Sequence, residues 1–65
     1  MNNQVRDFNN EPLLNVKEVA RQLNTSQSFV YKQIQTKELK SVRLNKAVRV
    51  QASDLQVFIE THTTF

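Results

Sequence analysis

The sequence predicts a small α+β fold, mostly helical, in which two short helices joined by a tight turn are followed by a two-stranded hairpin and a short closing helix. Three observations predict it. Apolar residues recur at helical spacing from Val16 to Leu23 and again at Val30 and Ile34; the period drops to two between Ser41 and Gln51; helical spacing returns at Leu55, Phe58 and Ile59. Sixty-five residues allow one domain, and at this size folding buries only about 60% of the unfolded chain's surface, so the core is thin.

Each element has its own local signal. The first residues, rich in Asn and Gln and without period, read as a flexible arm over 1–11, and Pro12 marks the start of structure. Asn15 is placed to cap a first helix running from about Val16 to Leu23, with Glu18 three residues on to close a capping box and Leu14 placed to pack on Val19. Asn24 follows where a left-handed residue is usual, and in a chain with no glycine asparagine is the next-best choice. Ser26 then caps a second helix ending near Thr36, with Val30 and Ile34 facing inward and Phe29 at the edge of the core.

In the hairpin, Val42 and Leu44 alternate with Arg43, and Val48 and Val50 alternate with Arg49. A two-residue loop at Asn45-Lys46 pairs Arg43 with Val48. A three-residue loop, Asn45 to Ala47, pairs Leu44 with Val48, Arg43 with Arg49 and Val42 with Val50, which keeps one face wholly apolar, and is the expected register. It sets two arginines opposite each other, a repulsion that an intervening phosphate would remove. Ser53 as cap and Gln56 completing a capping box open the third helix, with Leu55, Phe58 and Ile59 inward. The folded domain is thus expected over 12–61, with a frayed tail at 62–65 and His62 solvated within it.

Composition narrows function. There is no cysteine and one histidine, so neither disulfides nor a four-ligand zinc site can reinforce the core. With no histidine pair, no cysteine nucleophile and no glycine for a phosphate-cradling loop, the chain is expected to be no enzyme and to need no cofactor or metal. No apolar run reaches the roughly 18 residues of a membrane span and the N-terminus has no apolar signal core, which suggests a cytoplasmic protein with no membrane partner.

Charge is unevenly spread. Between Lys32 and Arg49 lie six basic residues, Lys32, Lys37, Lys40, Arg43, Lys46 and Arg49, against the single acid Glu38, whereas the remainder of the chain is net acidic. From Val19 to Lys37 there is no acid at all. A basic surface fixed on folded elements fits a polyanion. Two helices around a tight turn, a small residue (Ala20) for close crossing, a polar second helix and a basic hairpin together describe a winged helix-turn-helix: a two-helix unit, a two-stranded wing and a short C-terminal helix.

The stretch NVKEVARQL, followed by TSQSFVYKQI and KSVRLNKAVRV, resembles the small winged helix-turn-helix domain of excisionases and of relatives of the MerR regulators, from Leu13 to Ile59. The resemblance implies sequence-directed binding of double-stranded DNA, the second helix in the major groove and the hairpin at the minor groove or its flanking phosphates. Carried over by position, it places Ser26, Gln27, Ser28, Tyr31, Lys32 and Gln35 on the recognition helix and Arg43, Asn45, Lys46 and Arg49 on the wing. The chain departs from the family pattern in having Asn24, Lys37 and Asn45 where glycine is frequent, Ala47 where a basic residue is frequent and Val48 where an aromatic is.

Excisionases are architectural: copies bind adjacent sites, bend DNA and assist an integrase, a tyrosine recombinase, in excising a mobile element. The resemblance therefore implies an integrase partner, self-association on neighbouring DNA sites and a nucleoid location when DNA is bound. A small transcriptional regulator is the alternative, and a protein-interaction adaptor with an acidic partner a third reading. Among the candidate contacts, Gln27 suits two hydrogen bonds to an adenine edge, whereas Lys32 and Arg49 need only charge and reach to meet phosphate. Tyr31 is divided between a phosphate hydrogen bond and packing on the wing.

Overall fold

The computed structural model describes residues 12–62, and the expected arm and most of the expected tail lie outside them. The elements run β1 (Leu13–Leu14), α1 (Val16–Leu23), α2 (Gln27–Gln35), β2 (Val42–Leu44), β3 (Ala47–Gln51) and α3 (Ala52–Thr61), with an antiparallel sheet ordered β1-β3-β2. The architecture is α+β and is that of a winged helix-turn-helix. Strand β1 is too short to show a period; it pairs Leu14 with Val50 and Leu13 with Gln51.

Helix α1 begins as its sequence dictates. Asn15 Oδ1 accepts from the Glu18 N–H at 2.8 Å, and Glu18 Oε1 accepts from the Asn15 N–H at 3.0 Å, so two N–H groups at the helix start are satisfied reciprocally. It ends on Asn24 at φ 59°, with the N–H groups of Asn24 and Thr25 donating to the carbonyls of Arg21 and Ala20. Because a Cβ at this φ crowds the backbone, and asparagine tolerates it better than alanine, Asn24→Ala is expected to lower stability by about 1 kcal/mol and Asn24→Gly to leave it near wild type. Urea midpoints of the two variants check this.

The turn ties α2 to α1. Ser26 Oγ accepts from the Phe29 N–H at 3.1 Å, and Val30 packs beneath it with no exposed surface. With Val16, Val19 and Ala20 of α1, Leu39 of the α2–β2 linker, Val50 of β3, and Leu55 and Phe58 of α3, it forms the core, flanked by Leu14, Leu23, Ile34 and Val48. Phe29, expected at the core edge, is 39% exposed and stays outside it, and Ile59 is also more exposed than its expected inward position implies.

Two features differ from expectation. The hairpin closes with a two-residue loop, pairing Leu44 with Ala47, Arg43 with Val48 and Val42 with Arg49, so Arg43 and Arg49 are not opposite each other. Residues directly opposite in an antiparallel pair share a face, which puts Arg43 with Val48 on the inner side and Val42, Leu44, Ala47 and Arg49 on the outer side. The reason lies in the linker: Leu39 is only 1% exposed and fills the core beside β3, so β2 has no inward apolar duty. Asn45 makes the short loop possible by taking φ 57°.

The second difference is at α3. Strand β3 runs straight into the helix, Gln51 stands at the cap without a side-chain bond, and Ser53 lies inside the first turn rather than before it. The carbonyl of Pro12 accepts from the Ala52 N–H at 3.3 Å, so the residue preceding β1 supplies a backbone acceptor at the helix start. Gln56 donates forward to Glu60 at 3.3 Å instead of reaching back. At the other end Thr61 belongs to the helix, and His62 is tied down: its Nδ1 lies 2.8 Å from the Phe58 carbonyl oxygen, its Nε2 3.6 Å from Glu38 Oε1, and its ring centroid 4.1 Å from that of Phe58. It braces the linker that follows α2.

Candidate nucleic-acid interface

Helix α2 buries one narrow stripe and leaves the rest to solvent. Val30 and Ile34 face inward, so Ser28, Lys32 and Gln35 fall on the opposite side, with Tyr31 between that ridge and the hairpin. All six candidates on this helix are exposed: Ser26, Gln27, Ser28, Tyr31, Lys32 and Gln35. Ser26 spends its acceptor on the Phe29 N–H, which leaves the hydroxyl proton available as a donor. Gln27 is the first helical residue, and Tyr31, 52% exposed, lines the groove beside the hairpin.

The four wing candidates separate. Asn45 and Lys46 occupy the exposed turn. Arg43 projects on the inner side and lines the same groove as Tyr31 and Gln35. Arg49 lies on the outer side, and its Nη1 donates to the Val48 carbonyl at 2.9 Å, which folds the side chain along its own strand. The expected pair of arginines is therefore replaced by one arginine on each face of the hairpin.

The open groove between α2 and the hairpin has a volume of about 990 Å³. Ile34, Leu39 and Val48 form its apolar part, and Tyr31, Gln35, Lys37, Lys40, Arg43 and Asp54 its polar rim. Lys37 and Lys40 lie in the linker between α2 and β2, and the structure brings them to the rim because Lys37 takes φ 70°, turning the chain sharply after α2. Its N–H donates to the Ile34 carbonyl and that of Leu39 to the Gln33 carbonyl, which fixes the turn. The signal that could have found it was the same one read at Asn24, a position after a helix where glycine is frequent. None of Lys32, Lys37, Lys40, Arg43 or Lys46 is ion-paired among the described residues.

Among the described residues no three His, Cys, Asp or Glu side chains stand close enough to hold a metal ion, and no helix is long and apolar enough to cross a membrane. A two-helix unit with an exposed, acid-free second helix beside a basic hairpin is the arrangement of a small DNA-binding domain. The family model described as "Helix-turn-helix domain" matches residues 13–63, and the chain belongs to that family. Membership supports sequence-specific DNA binding. Comparison with curated proteins and with solved structures gives no significant match.

Proposed function

We propose that the protein is an architectural DNA-binding factor of the excisionase type, which bends its site and assists a tyrosine-recombinase integrase in excising a mobile element. The observation that carries the DNA-binding part is the continuous exposed ridge of Ser28, Lys32 and Gln35, with Tyr31 at its margin, Gln27 exposed at the helix start and the basic hairpin beside it. The resemblance of the three motifs to excisionases supports the recombination role. A domain presenting one recognition helix and one short wing has a small interface, so useful affinity is expected to need neighbouring copies or a protein partner.

Within this reading Gln27 specifies and Lys46 holds. A glutamine pairing with an adenine edge supplies about 1–3 kcal/mol of discrimination, whereas a lysine on phosphate carries no sequence information. Gln27→Ala is expected to relax sequence preference, and Lys46→Ala to weaken all duplexes alike; a binding panel showing the reverse pattern contradicts the assignment. The role itself is tested by an excision assay with a tyrosine-recombinase integrase and its mobile-element substrate. Excision that rises on adding the protein supports it. Unchanged excision together with altered transcription from a promoter carrying the selected site points instead to a transcriptional regulator using the same surface.

A further inference from the structure

The groove between α2 and the hairpin is not absorbed by that reading, which concerns the helix ridge and the wing tip. If α2 lies in the major groove and the wing at the adjacent minor groove of one duplex, a single sugar–phosphate strand separates the two and has to pass between helix and hairpin. At that place the structure has an open trough of about 990 Å³. Its chemistry suits such a strand. Lys37, Lys40 and Arg43, three residues apart in sequence, line its rim, all three are exposed, and none is ion-paired among the described residues. Ile34 and Val48, both only partly buried, offer an apolar wall to the deoxyribose.

We propose that this trough seats the strand between the two DNA grooves, with Lys37, Lys40 and Arg43 as its phosphate contacts. The inference rests on the docking described under the proposed function and adds two residues to it. It also removes one: Arg49, on the outer face of the hairpin and bonded to its own strand, lies outside the trough. Asp54, the one acid lining the trough, repels phosphate and keeps the strand to the lysine side.

The test measures salt-dependent binding of the full chain to a short duplex selected by the wild-type protein from a random pool. Lys40→Gln and Lys37→Gly are each expected to reduce the log–log salt slope by about 0.9 in magnitude and to weaken binding roughly five- to tenfold at about 0.1 M salt. Lys17→Gln, an equal charge change on the exposed start of α1, is expected to change affinity less than about twofold at that salt. Because glycine relieves the left-handed backbone at Lys37, Lys37→Gly is also expected to raise the urea midpoint while it lowers affinity, a combination that a purely structural role does not produce. If Lys40→Gln behaves like Lys17→Gln while the wild type binds normally, the trough assignment falls and the helix-ridge reading stands. If the wild type binds no duplex at low salt, both fall.

Discussion

Leu39→Ala is expected to destabilise the protein by about 2–5 kcal/mol, the largest effect of any single substitution considered. Leu39 is among the largest fully buried side chains, at 1% exposure, and it stands where the linker after α2 meets the core formed by α1, β3 and α3. Truncating it removes its transfer free energy and leaves a cavity whose walls belong to elements held elsewhere by caps and strand pairing, so collapse is limited. A folded unit of this size has on the order of 3–8 kcal/mol in total. The variant is therefore expected to be largely unfolded at 25 °C by circular dichroism, whereas Leu44→Ala, at a site 44% exposed on the outer sheet face, is expected to stay within about 0.5 kcal/mol of wild type. A Leu39→Ala protein with a near-native urea midpoint contradicts the account of the core.

Raising salt from about 50 to 200 mM is expected to weaken duplex binding roughly 250- to 1000-fold. The estimate follows from the cations expected to meet phosphate: Lys32 on the helix ridge, Lys37, Lys40 and Arg43 at the trough, and Lys46 at the wing tip, all exposed. Neutralising about five phosphates releases their counterions and gives a log–log slope near −4 to −5. Fluorescence anisotropy across a salt series measures it. A slope near zero means that binding does not proceed by phosphate neutralisation and removes the electrostatic part of the account.

Much of the fold was legible because its signals are local. The Asn15–Glu18 capping box, Asn24 at the end of α1 and the Ser26 cap each involve residues within a few positions of one another, and each stands in the structure as the residue types dictate. What was not legible depends on partners distant in sequence. Two leucines carry no period, so β1 emerges only from its pairing with β3. The start of α3 is set by Pro12, whose carbonyl receives the Ala52 N–H, and Ser53 gave a misleading local signal. The hairpin register turned on Leu39: once the linker fills the core, the rule that apolar residues share the inner face no longer governs β2, and Val42 and Leu44 turn outward.

The candidate interface divides in the same way. The α2 ridge follows from helical spacing alone, because Val30 and Ile34 fix which side faces the core. The trough does not, since it needs the left-handed turn at Lys37 to bring two linker lysines alongside Arg43. Charge counting found all six cations of the basic stretch, but only the register separates Arg43 from Arg49.

Whether the exposed face of α2 and the hairpin beside it form the DNA-binding surface is decided by titrating the isotope-labelled protein with its selected duplex and following backbone amide shifts by NMR. The largest shifts are expected on the amides of Gln27, Ser28, Lys32 and Gln35 and of Arg43, Asn45 and Lys46, with the exposed amides at the start of α1 and along the outer side of α3 nearly unchanged. Shifts concentrated on Lys17, Arg21 and Val57, with α2 and the hairpin unmoved, would contradict that assignment.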